Sequence, residues 1–172
     1  METTTKETNG FVKASKKERK VLGEIFNKCP KIANVEYSDE AGNDRWDFKF
    51  TLNSGKEYIG DIKCRNVKHN KYPDVLIEAK KVKWLVEEAK KTSKVPILIC
   101  HYTDKIALIW NLTKVPTEYT SQMKYCPLTT AGNRRYVQKE VYYLKIEGAK
   151  QIDLNQIEKP DTKTDKNNGE KR

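Results

Sequence analysis

Residues Arg45–Arg65 read RWDFKFTLNSGKEYIGDIKCR, and this stretch decides the fold. Trp46–Leu52 alternates apolar and polar residues, Tyr58–Arg65 does the same, and Asn53-Ser54-Gly55 between them supplies turn chemistry. That pattern predicts a β-hairpin. Strand side chains alternate faces. Trp46, Phe48, Phe50 and Leu52 are expected on one side, with Tyr58, Ile62 and Cys64. Asp47, Lys49 and Thr51 fall on the other, with Asp61, Lys63 and Arg65. A loop centred on Ser54 sets Asp47 directly across from Asp61, with Cβ atoms roughly 5 Å apart. A bulge at Gly55 would shift that register by one. Two facing carboxylates destabilise a hairpin unless a cation sits between them, and a divalent metal is the simplest cation to expect.

Composition narrows the partners. The chain has 172 residues, enough for one domain with a real core. With 34 Lys and Arg against 24 Asp and Glu, its formal charge is +10. Such a charge favours a polyanion such as nucleic acid over an anionic membrane. No apolar run suits a transmembrane helix or an export signal, so a soluble, cytoplasmic protein without membrane attachment is expected. Cys29, Cys64, Cys100 and Cys126 form no CxxC pair, which argues against both a zinc site and a disulfide framework. With only His69 and His101, histidine-based hydrolytic sites have little material.

Along the chain, residues 1–14 read as a flexible polar leader. Ser15-Lys16-Lys17-Glu18 has the form of a capping box ahead of an amphipathic helix over 16–28. Its apolar face is Val21, Leu22, Ile25 and Phe26, and Glu18 falls within that arc, about 60° from Val21. An extra strand is expected around 34–38. After a polar connection comes a second helix over 74–92, facing the core with Leu76, Ala79, Val82, Val86 and Ala89. Two apolar strands follow over 96–102 and 106–112. Residues 113–135 lack periodicity and read as a long loop, 137–146 as a last strand, and 158–172 as a disordered charged tail. The order of elements gives an α/β class: a single domain with a mixed β-sheet flanked by helices.

Asp47 followed, 14 residues on, by Asp61-Ile62-Lys63 fits the pattern of an aspartate on one strand and (D/E)-x-K on the next. Upstream, Glu18-Arg19 opens a helix. Downstream stand Tyr72, Ile77-Glu78-Ala79-Lys80-Lys81 and Trp84-Leu85. Over roughly residues 15–112 the chain resembles the PD-(D/E)xK nuclease superfamily, in particular small phage-encoded nucleases and archaeal-type Holliday junction resolvases. It departs from the pattern in having no proline before Asp47 and in carrying Asp61 where glutamate is commoner. The resemblance implies a restriction-endonuclease-like nuclease domain over 15–157. It also implies a magnesium-dependent deoxyribonuclease active on branched DNA, a homodimer, no small-molecule cofactor, and a host-cytoplasmic location if phage-encoded.

The chemistry agrees with that implication. Hydrolysing a phosphodiester takes an activated water and charge stabilisation on phosphoryl and leaving oxygens. Mg²⁺ provides both with a few carboxylates and retained waters, and Mn²⁺ would substitute. Asp47 and Asp61 are expected as direct ligands, the Ile62 carbonyl as a third, and Glu18 directly or through water. Lys63 would orient or deprotonate the water or balance the scissile phosphate, with its pKa lowered by burial beside a metal. The resemblance adds Lys81 as an active-site or phosphate residue. Lys49 and Arg65, on the carboxylate face, and Lys124, Arg134 and Arg135, interleaved with Tyr119, Tyr125 and Tyr136, are candidate nucleic-acid contacts.

Each residue has a plainer reading. Asp61 and Lys63 also fit a same-face pair on a solvated strand, Glu18 the second half of the capping box, and Lys81 a solvated helix lysine. The alternative for the whole chain is a catalytically inactive nuclease fold that binds nucleic acid.

Overall fold

The computed structural model describes residues 4–39, 44–128 and 135–156, with side chains from Val12 onward. Arg134, the tail over 158–172 and the first three residues of the leader lie outside the described residues.

The alternating stretch forms the predicted hairpin, β2 (Phe48–Leu52) and β3 (Glu57–Cys64). Phe48 pairs with Gly60, Phe50 with Tyr58 and Thr51 with Glu57. That is the register expected for a loop centred on Ser54, so the turn adds no shift. Gly55 takes φ +83° there, a left-handed conformation that glycine adopts without steric cost. Gly60 is required for a different reason. A Cβ at this position would lie 2.8 Å from the Ile97 carbonyl oxygen and closer still to the Phe48 ring.

The hairpin joins β1 (Ile32–Tyr37), β5 (Val95–His101), β6 (Ile106–Asn111) and β9 (Lys150–Asp153) in a six-stranded sheet ordered β1-β2-β3-β5-β6-β9. Only β3 and β5 run parallel among these pairs. Such a pair needs a crossover. The chain makes it through β4 (Asp74–Glu78) and α2 (Ala79–Lys91). β4 belongs to a second, three-stranded sheet with β8 (Tyr136–Lys145) and β7 (Gln122–Pro127), ordered β4-β8-β7.

Helices cover both faces of the large sheet. From α1 (Thr4–Asn27), Val21, Leu22, Ile25 and Phe26 pack on Phe48, Ile62, Ile97 and Ile99. From α2, Ala79, Val82, Leu85 and Ala89 pack on Ile59, Leu98, Cys100 and Leu108. Successive β5 residues thus serve opposite cores, which is why Ile97–Cys100 is apolar without a break. Each fully buried Leu or Ile contributes about 1.5–3 kcal/mol relative to exposure.

Several expectations are corrected. α1 begins at Thr4, inside the stretch read as a leader, so Ser15 is mid-helix and cannot cap. The stretch has no proline, and only Gly10 interrupts it. The start of the second predicted helix is strand β4, because Val75 and Ile77 bury against β8. A short apolar run does not distinguish the two. The predicted loop over 113–135 holds a helical turn at Val115–Glu118 (α3) and strand β7. β7 is exposed along most of its length, so burial imposes no alternation on it. Trp46 leaves the Phe48 side and packs on the α2 core, because the chain quits the β2 ladder at Asp47. The face carrying Asp61 is buried, not solvated.

Candidate active site

Asp61 lies at the centre of β3 and is 0 % exposed. Its side chain leaves the sheet on the α2 side, opposite Ile62. Lys63, two residues on, places its ammonium 2.7 Å from Asp61 Oδ2. Lys81, one turn into α2, places its own 2.7 Å from Oδ1. Among the described residues no backbone amide or amide side chain donates to either oxygen. Two ammoniums and the neighbouring Asp47 carboxyl compensate the carboxylate.

Asp47 stands where β2 stops pairing. Its N–H donates to the Gly60 carbonyl at 2.9 Å, and its carbonyl accepts from Ser38 N–H at 3.0 Å. Its carboxyl substitutes for the missing neighbour strand, because Ile62 N–H donates to Asp47 Oδ2 at 2.8 Å. This geometry turns the Asp47 side chain across β3 toward Asp61, within hydrogen-bonding reach.

Glu18 enters from α1. Arg19, the next residue, donates to the Ser38 carbonyl and lies over the Tyr37 ring, 5.7 Å from its centroid. The helix is thereby tied to the end of β1, beside the segment leading to Asp47. Glu18 is within electrostatic range of Asp61, Lys63 and Lys81. With Ser15 buried in the run of the helix, the capping role for Glu18 disappears.

The electrostatics follow from this crowding. Burial raises the Asp47 pKa to about 7, helped by the neighbouring Asp61 charge. Burial alone would also raise Asp61, but Lys63, Lys81 and the Asp47 proton hold it well below the carboxylate range. Lys63 is held above the ordinary lysine range by Asp61 and Asp47 despite its burial. Beside these two carboxyls Lys63 is a fixed positive charge. Burial raises Glu18. With Glu18 and Asp61 ionised, three carboxyls, two ammoniums and one proton balance to zero.

The donor set fits a hard cation in a limited way. Asp47 and Asp61 offer a close carboxylate pair, and Mg²⁺ is commonly bound by one or two carboxylates plus waters and substrate oxygens. Among the described residues no three His, Cys, Asp or Glu side chains converge as a ready ligand set.

The candidate nucleic-acid contacts are scattered. Lys49 sits 3.8 Å from the Trp46 ring centroid and 3.9 Å from Glu36. Arg65 donates to the Leu76 carbonyl at 3.0 Å. Lys124 lies on β7, and the Arg135 carbonyl accepts from Leu128 N–H beside the ends of β7 and β8. Arg65 and Lys124, distant in sequence, line one pocket together with Lys68, Tyr72, Tyr102 and Tyr143. Of these, sequence reading singled out Arg65, Lys124 and Tyr72. The others carry no motif: Lys68 follows β3, Tyr102 follows β5 and Tyr143 lies on β8.

A mixed sheet with helices on both faces and acidic residues on its central hairpin is a restriction-endonuclease-like fold. Among solved structures it is similar to that of Hjc, a Holliday junction resolvase from the archaeal hyperthermophile Archaeoglobus fulgidus, with a TM-score of 0.53. The match covers 86 % of this chain and 99 % of that one at 12 % identity, a likeness of fold. No protein-family model matches the sequence, and no curated protein matches it. Among the described residues no helix is long and apolar enough to cross a membrane.

Proposed function

We propose that the protein is a divalent-metal-dependent endonuclease that hydrolyses phosphodiester bonds in DNA, with branched DNA as its candidate substrate. The observation that carries this reading is the buried Asp61 carboxylate gripped by two ammoniums beside the Asp47 carboxyl. Burying this many charges costs several kcal/mol per ion before pairing offsets it. Strongly perturbed carboxyls and lysines of this kind concentrate at functional sites. Asp47, Asp61 and the Ile62 carbonyl would hold Mg²⁺ or Mn²⁺, and Glu18 would hold one of its waters. The bound ion supplies a water of lowered pKa and neutralises charge on the phosphate. Lys63 and Lys81, released from Asp61, would face the scissile phosphate and stabilise its developing charge. The positive surface draws the polyanion in.

The Hjc likeness makes a four-way junction a reasonable substrate, and a homodimer a reasonable state, since two strands must be cut. A second reading, nucleic-acid binding without catalysis, is favoured by the absence of a ready three-ligand set among the described residues. One panel separates them: linear, single-stranded and four-way-junction DNA, and RNA, each with Mg²⁺ and with EDTA. Cutting of junction DNA in Mg²⁺ alone is expected. Salt-dependent binding with no cutting in Mg²⁺ or Mn²⁺ establishes the second reading instead.

A further inference from the structure

Beyond the carboxylates lies a pocket of about 430 Å³ that hydrolysis itself does not use. β3 leads to it. Arg65 lies on the same face as Asp61 and Lys63, and its N–H donates to the His101 carbonyl at 2.7 Å, so the chain stays extended. At about 3.3 Å per residue, Arg65 is at most about 13 Å from Asp61 along the strand. One nucleic-acid strand can therefore touch both. The opposite wall is β4, whose continuation α2 carries Lys81.

The lining joins cations to aromatic rings. Arg65, Lys68 and Lys124 supply charge, and Tyr72, Tyr102 and Tyr143 supply rings. Lys124 Nζ lies 5.3 Å from the Tyr143 ring centroid. Tyr72 is 56 % exposed, with the Lys71 ammonium 5.4 Å from its ring centroid. Tyr102 is the reverse: 3 % exposed, with a buried hydroxyl that has no hydrogen-bond partner among the described residues. Its ring is fixed edge-on to His69, which Asp104 holds at 2.7 Å from Nδ1. Burial raises the Tyr102 pKa, so the hydroxyl remains a neutral donor. The Asp74 carboxylate also lines the pocket, so the site is not a bare anion trap. Stacking faces, cations and one unsatisfied donor together suit a base with its phosphate.

We propose that this pocket is a nucleotide subsite that takes one unstacked base of the strand lying across the carboxylates. The proposal rests on the nuclease reading for its neighbour, though not for its test. Paired DNA offers no free base face, so the subsite favours single-stranded and branch-point segments. The subsite would then bias the enzyme toward branched DNA.

The test is equilibrium binding of the full chain in EDTA, which removes any dependence on cleavage. Fluorescent single-stranded and junction DNA are compared with a set in which an abasic site is moved along the strand. One abasic position should weaken binding about tenfold. Tyr72→Ala should weaken binding of intact DNA to the same degree and abolish the abasic effect, whereas Tyr72→Phe retains both. Tyr102→Phe keeps the ring and removes an unsatisfied hydroxyl, so it should leave thermal stability unchanged or raised while weakening binding severalfold. A flat abasic scan, or Tyr72→Ala binding like wild type, overturns the subsite. Metal-dependent cutting in the same samples would still stand. Loss of cutting with an intact abasic effect would overturn the nuclease reading and keep the subsite.

Discussion

Lys81 on α2 sets its ammonium 2.7 Å from Asp61 Oδ1, opposite the Lys63 ammonium at Oδ2. Two cations from different elements thus hold one buried anion, and neither can be removed without exposing it. Lys81→Ala should destabilise the protein by about 2 kcal/mol, below the full loss for a closed buried pair because the lysine keeps some solvent access. Urea unfolding measures it. Combined with Asp61→Asn, the two losses should be less than additive by about 1 kcal/mol. Strict additivity would show that the pair is not coupled.

Asp47 gives stability a pH dependence of unusual sign. Its folded pKa of about 7 lies above the ordinary carboxylate value near 4. Between these values the folded state holds a proton that the unfolded chain has lost, so this residue's contribution falls as pH rises from about 4 to 7. Asp61, with its lowered pKa, acts below that window and in the opposite direction. Asp47→Asn retains an acceptor for Ile62 N–H and a donor toward Asp61. It should flatten stability between pH 5 and 7 and stabilise the protein above pH 7. Unchanged melting curves for the variant across this range would refute the assignment.

The same proton must leave before a cation can sit on both aspartates. Calorimetric titration with Mn²⁺ in buffers of different ionisation enthalpy should show close to one proton released near pH 6. Almost none should be released above pH 8, and affinity should climb between the two. Release that does not vary with pH would place the ion elsewhere.

Gly60 is a packing constraint on the hairpin that carries both aspartates. Gly60→Ala drives a methyl against Phe48 and the Ile97 carbonyl, and the backbone oxygen cannot turn aside. A loss of about 3 kcal/mol is expected, read as a lower urea midpoint at constant slope. Gly55→Ala costs less, since only its φ of +83° is strained and open space surrounds it. Equal losses at the two positions would contradict this account.

How far the sequence carried depended on how much each residue's role was local. Phe48, Phe50, Tyr58 and Ile62 declare the hairpin by alternation, and the turn at Asn53-Ser54-Gly55 fixed its register. Asp47, Asp61 and Lys63 were readable because the strand period places them on one face, whereas Lys81 was singled out by the family resemblance. Their meeting around Asp61 depends on the β3–β5 crossover, which no local pattern states. What failed was non-local. Val75 and Ile77 became strand because β8 lay alongside them, and exposed β7 gave no pattern at all. Trp46 changed sides at an irregularity in the ladder, and Tyr102 and Tyr143 line one pocket only because the two sheets pack together. The facing aspartates pointed to a compensating cation, and Lys63 and Lys81 supply positive charge at Asp61 that the hairpin pattern did not announce.

The central claim is that Asp61 organises phosphodiester cleavage. Its most direct test is the single-turnover rate of four-way-junction cutting by wild type and Asp61→Asn at saturating Mg²⁺, with junction affinity measured in parallel. The account predicts a rate loss of at least about a thousandfold with affinity changed little. An Asp61→Asn protein that cuts at the wild-type rate would contradict it.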